Sequence, residues 1–188
     1  MSINVSVHIY GQDHTPLIAA NGIKDGRVQS CDICGFESSS VVPVNQDART
    51  GEDMVMCDIC YDQHHIDQVE EDSKIIYLPN IGNATFAHLV RAISTALRDD
   101  NLHSHAQELF EWLMSHSEYP SVTFGSDSPP DYADALRNIP PIKIDSKTDL
   151  ATQHLFCVSK TAIFTRYEPS HSPCEEWSDL INQASKSL

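Results

Sequence analysis

Four of the six cysteines in this 188-residue chain fall in two copies of one tetrapeptide, Cys-Asp-Ile-Cys, at 31–34 and 57–60. Two residues between a pair of cysteines let a tight turn aim both sulfurs at one point. A second such turn supplies the opposite edge of a tetrahedron, with metal–sulfur bonds of about 2.3 Å. Gly35 after Cys34 suits this, because glycine lets the backbone bend around the metal and turn its amides toward the sulfurs. Tyr61 holds the matching place after Cys60, so the two turns are not equivalent. A 22-residue interval, 35–56, separates the pairs, and a hairpin fills it well. Cys31, Cys34, Cys57 and Cys60 are therefore read as the ligands of one shared metal ion. Zinc leads, with iron the other metal suited to four sulfurs. Two independent redox pairs would instead sit at helix mouths in a βαβ context, which neither pair shows. Four thiolates leave no open position for water or substrate, so the site reads as structural. Loss of the ion is expected to unravel at least residues 28–65.

The remaining reactive side chains form no comparable pattern. His64 and His65 follow Cys60 by four and five residues and read as a polar surface pair ahead of the alternative, ligands of a second metal. His103 and His105, two apart, fall on different helix faces, and His88 reads as a packed or surface histidine. Cys157 lies in an apolar run and reads as core, and Cys174, beside Pro173, as an ordinary thiol. There is no Ser-His-Asp signature, no phosphate-cradling glycine loop and no convincing carboxylate pair. The chain is expected not to be an enzyme.

Several elements must position these residues. Ile3, Val5, Val7 and Ile9 alternate with polar residues, the pattern of a half-buried strand, and turn signals follow at Asn21-Gly22 and Asp25-Gly26. The apolar stretches 41–44 and 54–56, with a turn near Thr50-Gly51, make the hairpin between the cysteine pairs. The polar run 61–73 reads as a short exposed helix or loop, and "KIIYLPN" as a strand stopped by Pro79. A helix capped by Asn83 or Thr85 follows, with Phe86, Leu89, Val90, Ile93 and Leu97 on one face. A second helix over 102–116 buries Leu102, Ala106, Leu109, Phe110 and Leu113. "YPSVTFGSDSPPDY" breaks it, and a short helix runs through Leu136. Pro140 and Pro141 impose an extended connection. Residues 149–167 lean to helix, and Trp177, Leu180 and Ile181 mark a closing amphipathic helix. With no Gly/Ser linker, the expectation is one domain, 1–188, with a β-rich zinc-binding part (1–80) and a mainly helical part (81–188). The fold class is α+β.

Charge narrows the partners. Twelve Lys and Arg stand against 27 Asp and Glu, a net charge of −15. Nucleic-acid binding draws on Lys and Arg that neutralise phosphates, so no direct nucleic-acid partner is expected. The dispersed acids read as a solvated surface. No run approaches the ~18 apolar residues of a membrane span. The first residues lack the basic start and apolar run of a secretory signal. A cytoplasmic protein with reduced thiols is the expectation.

Hairpin, cysteine pair and then a histidine-bearing helix is the layout of the treble-clef and HNH nuclease scaffold. The hairpin stretch "VVPVNQDARTGEDMVM" has no histidine to activate water, which disfavours a nuclease. The whole layout resembles the IcmJ/DotN family of type IVB secretion systems, called TraT in related conjugation systems. The resemblance rests on "CDICGF", the hairpin, "CDICYDQHH", and "IIYLPNIGNATFAHLVRAISTAL" leading into a helical half that ends near a tryptophan. It implies a zinc-stabilised treble-clef/HNH-like hairpin core without nuclease activity, with Cys31, Cys34, Cys57 and Cys60 as ligands of one structural zinc. It further implies an adaptor subunit of a coupling complex, binding a tail of the inner-membrane coupling ATPase and other subunits, at the membrane only through that partner. The alternatives are an HNH-like metal-dependent nuclease and a nucleic-acid-binding zinc-finger regulator. The partner-binding residues are unknown.

Overall fold

The structure, a computed structural model, describes residues 28–45, 53–138 and 154–167. The expected strand at 3–9, the turns before residue 28 and at 50–51, the extended link at Pro140-Pro141, the closing helix and Cys174 lie outside the described residues. Three small antiparallel ribbons and six helices make up the rest, so the described chain is α+β.

The first ribbon pairs β1 (Gln29–Ser30) with β2 (Glu37–Ser38), closing the loop that carries Cys31 and Cys34. The second pairs β3 (Val41–Asn45) with β4 (Asp53–Cys57), from Val41 opposite Cys57 to Asn45 opposite Asp53. This is the expected hairpin. Pro43 is tolerated because β3 is an outer strand of a two-stranded ribbon and Pro43 faces Val55, whose backbone bonds run away from it to Asp32. Strand β4 runs without a loop into α1 (Asp58–His64), with Cys57 as the residue before the first turn. The helix thus begins ahead of Cys60 and buries Ile59, Cys60 and Asp62. This corrects the expectation of an exposed polar segment starting at 61. Asp62 is charged yet buried because Arg166, about a hundred positions away, matches its charge inside the fold.

The third ribbon joins β5 (Lys74–Tyr77) to β6 (Leu155–Val158), Lys74 facing Val158 and Tyr77 facing Leu155. Its other edge is held by loop backbone: the Ile75 amide donates to the Asp127 carbonyl at 2.7 Å and the Tyr77 amide to the His116 carbonyl at 3.1 Å. Asn80 then takes φ +68°, a left-handed conformation Asn tolerates, and turns the chain into the next helix.

Helix α2 (Asn83–Ala96) is central. Phe86, Val90, Ile93 and Leu97 are buried on one face, as their spacing predicts, and Leu89 is half-buried. Its cap differs from expectation. Gly82 holds the N-cap position and no side chain bonds there; the Phe86 amide donates to the Gly82 carbonyl at 2.9 Å. Helix α3 (His103–Ser115) buries Ala106, Leu109, Phe110 and Leu113. The "YPSVTF" stretch does not break the helical region but forms α4 (Glu118–Phe124). Pro120 sits in its first turn, where a missing amide costs nothing, and Gly125 at φ +82° ends it. Helix α5 (Pro129–Arg137) follows.

Residues 154–167 depart furthest from the helix expected there. They form β6 and then the short α6 (Lys160–Thr165), capped by Ser159, whose hydroxyl accepts from the Ala162 amide at 2.9 Å. A four-residue apolar run suits strand and buried helix alike; the waiting edge of β5 decides for strand. Phe156 stacks on Phe86 with ring centroids 4.3 Å apart, fixing β6 against α2. One apolar cluster runs from the four cysteines through α2 and α3 to Tyr167.

Candidate metal centre

The first cysteine loop is built by its own backbone. The Cys31 amide donates to the Phe36 carbonyl at 2.9 Å and the Gly35 amide to the Cys31 carbonyl at 2.8 Å. Gly35 adopts φ +73°, the left-handed value a side chain disfavours, so glycine matters here. The aspartate of the tetrapeptide then docks the loop on β4. The Val55 amide donates to Asp32 Oδ2 at 2.7 Å, and the Asp32 amide donates to the Val55 carbonyl at 2.9 Å. This reciprocal pair sets Cys31 and Cys34 opposite Cys57 and Cys60. In the second copy the matching residue, Asp58, lies in the first turn of α1, so one tetrapeptide has two local structures.

The outcome is a buried cluster. The sulfurs of Cys31, Cys34, Cys57 and Cys60 all lie within 4.8 Å of one another. Cys34 and Cys57 are 3.7 Å apart at Sγ. Four sulfurs at about 2.3 Å from a central ion define a tetrahedron with edges of about 3.8 Å, so the observed separation fits a metal and is far too long for a disulfide. All four cysteines are free and buried. The residues present fit a metal ion held by four thiolates. Among the described residues, this is the one such group of metal-ligating side chains.

Electrostatics point the same way. Sulfur hydrogen bonds from Cys34, Cys57 and Cys60 drive the Cys31 thiol far below its ordinary value. Those of Cys57 and Cys60 are pushed far up, first by their hydrogen bonds to Cys31 and Cys34 and then by burial. Four thiolates cannot share so small a dry volume unless a cation replaces their protons.

Helix α2 touches the cluster at two points that the sequence did not reveal. His88 Nε2 lies 3.0 Å from the Cys34 carbonyl oxygen; a carbonyl only accepts, so that nitrogen carries the proton. Arg91, 1% exposed, places Nη2 at 3.3 Å from Cys57 Sγ and its guanidinium carbon 3.4 Å above the centre of the Phe36 ring. The helical spacing of 88 and 91 was visible; that the face carrying them meets sulfur was not.

The other predicted residues stay apart from the cluster. His65 stacks on Tyr61 at 4.0 Å between centroids, and its Nδ1 lies 3.1 Å from the Tyr61 carbonyl oxygen. Neither it nor His64 joins the sulfur group. His103 Nδ1 lies 2.8 Å from the Leu97 carbonyl oxygen. Cys157 is buried in β6, as expected of a core residue, and burial raises its thiol well above the ordinary value.

A second polar assembly ties α1 to the strand and helix that return from far along the chain. The Arg166 guanidinium forms a fork on Asp62 and also meets Glu70, with Nε 2.9 Å from Glu70 Oε1. The Tyr167 hydroxyl donates to Asp62 Oδ2 at 2.7 Å. The Gln63 side chain pairs with the Cys157 backbone in both directions, each bond 2.8 Å. Asp72 accepts from the Ser159 and Thr161 hydroxyls and the Thr161 amide at 2.8–3.0 Å.

No protein-family model matches the chain, and no curated protein matches its sequence. No helix among the described residues is long and apolar enough to cross a membrane.

Proposed function

We propose that this chain is a non-enzymatic adaptor whose fold is stabilised by one structural zinc ion, acting as a subunit of a type IVB secretion or conjugation coupling complex. The observation that carries the structural part is the convergence of four buried sulfurs within 4.8 Å. Such a site spends all its coordination on protein and leaves none for substrate. Zinc is favoured over iron because nothing else in the chain suggests electron transfer. The order of cysteine loop, hairpin and helix supports a treble-clef, HNH-like core without the hairpin histidine that water activation needs.

The adaptor part draws on the resemblance to the IcmJ/DotN family and on one surface. Helix α4 exposes Tyr119 at 49%, Val122 at 79% and Phe124 at 44%. Large apolar side chains grouped in the open mark a docking face more often than an idle surface. Residues 99–136, which include it, hold eight acidic residues and neither Lys nor Arg. The occupant this favours is an extended, basic segment with large apolar side chains, supplied by the tail of the coupling ATPase.

The test is recovery of partners from the native host with the chain as bait. Wild type should bring down the coupling ATPase, and Val122→Glu should lose it while its melting temperature stays put. Elemental analysis should find about one zinc per chain. Recovery of nucleic acid with no coupling ATPase, or cleavage of plasmid DNA by the metal-loaded protein with Mg²⁺ or Mn²⁺, would overturn the reading.

A further inference from the structure

We propose that α2 forms the outer half of the metal centre, with Arg91 as the positioning residue that partly neutralises the loaded site and orients the Cys57 thiolate. The inference rests on the metal reading above and goes beyond its four ligands. Four thiolates around a divalent cation leave a net charge of −2 in a buried volume. An uncompensated interior charge is costly. Among the described residues Arg91 meets it: 1% exposed, with Nη2 3.3 Å from Cys57 Sγ.

Its position is over-determined. The guanidinium lies 3.4 Å above the ring of Phe36, two residues past Cys34. It is therefore held between the aromatic of the first cysteine loop and a sulfur of the second. A flat, delocalised cation can stack on the ring face while donating in its own plane; an ammonium has no planar face to stack. His88, one turn earlier on the same helix face, donates from Nε2 to the Cys34 carbonyl at 3.0 Å. Helix α2 thus reaches each cysteine pair once, through a backbone oxygen on one side and a thiolate on the other. A donor aimed at a metal-bound thiolate fixes its direction and draws off negative charge.

The two contacts predict different signatures. Arg91→Met keeps length and apolar volume but removes charge and donor; Arg91→Lys keeps the charge without the stack. Zinc affinity, measured by competition with a chromophoric chelator at fixed pH, should fall about 10–100-fold in Arg91→Met, with Arg91→Lys in between. In the cobalt-substituted protein the thiolate-to-cobalt charge-transfer band should move to longer wavelength in Arg91→Met and less so in Arg91→Lys. It should not move in His88→Gln, whose contact avoids sulfur. Should Arg91→Met fail to fold, the band in Arg91→Lys still decides. Unchanged zinc affinity and an unmoved band in the Arg91 variants would overturn the role of Arg91 alone. A wild-type chain that takes up neither zinc nor cobalt would overturn the metal reading and this inference with it.

Discussion

Asp62 holds a carboxylate where water scarcely reaches, at 2% exposure. Burial pushes its proton affinity up, while Arg166 and then Tyr167 pull it back by bonding the charged form. Tyr167 is itself pushed far up, by burial and by the carboxylate beside it. Replacing Arg166 with Leu would leave a buried anion with one neutral donor. Breaking a fully buried pair costs about 3–5 kcal/mol; because the Arg166 side chain is 34% exposed, about 2–3 kcal/mol is expected here, after discounting for solvent screening. The loss should shrink on acidification. With its cation gone, Asp62 binds a proton more tightly folded than unfolded, so protonation favours the folded state. The stability so gained is complete below the unfolded carboxylate range and fades as pH rises through the raised folded value. Urea melts of Arg166→Leu and wild type at pH 5 and pH 7 check this: the gap between them should be narrower at pH 5.

Among elements, α2 carries the most. It presents Phe86 to Phe156 of β6, Arg91 to the sulfur of Cys57, and the Ser94 hydroxyl to the Ile163 carbonyl of α6 at 2.8 Å. Phe86 is fully buried and stacked, so Phe86→Ala should cost about 3–5 kcal/mol, read as a lower denaturant midpoint. The same helix shows what could be read in the sequence. Its 3.6-residue period fixed both the helix and its buried face, because that period depends only on local geometry. The four cysteines that converge were equally plain, since two residues between cysteines make a local turn wherever they occur. Segment 154–167 was not legible. Its strand exists because β5 offers an edge about eighty residues away, and no window on the sequence contains both. The bonds of Asp32 to Val55, Gln63 to Cys157 and Arg166 to Asp62 were hidden for the same reason. The "YPSVTF" stretch is helical although a break is expected there, because Pro120 falls in a first turn, which accepts it.

At the scale of the whole molecule, the cysteine cluster belongs to the same apolar core as α2, α3 and β6. Removing the proposed metal should therefore loosen more than residues 28–65. A structural zinc contributes about 10–16 kcal/mol in small metal-dependent folds, against a typical net stability of about 5–15 kcal/mol. Treatment with a strong chelator should abolish the cooperative thermal transition, and added zinc should restore it, with a melting temperature that climbs with free zinc. The paired substitutions Cys34→Ser and Cys57→Ser should release the ion and open 28–65 to protease. Acidification should release it too, because the cysteines bind as thiolates and acid returns their protons. Mass spectrometry under native conditions, stepped downward in pH, would follow the ion leaving.

The β5–β6 ribbon carries a consequence for how the protein is made. On the ribosome, β5 emerges about eighty residues before β6, and the Asp62 carboxylate 104 residues before Arg166, so for much of synthesis one strand edge lies bare and one anion lacks its cation. A nascent chain halted ahead of residue 154 already holds its four sulfurs and the Phe36, His88 and Arg91 that surround them, yet lacks the partner strand of β5 and the cation of Asp62. Such stalled products should be prey for quality-control proteases even when fully loaded with metal.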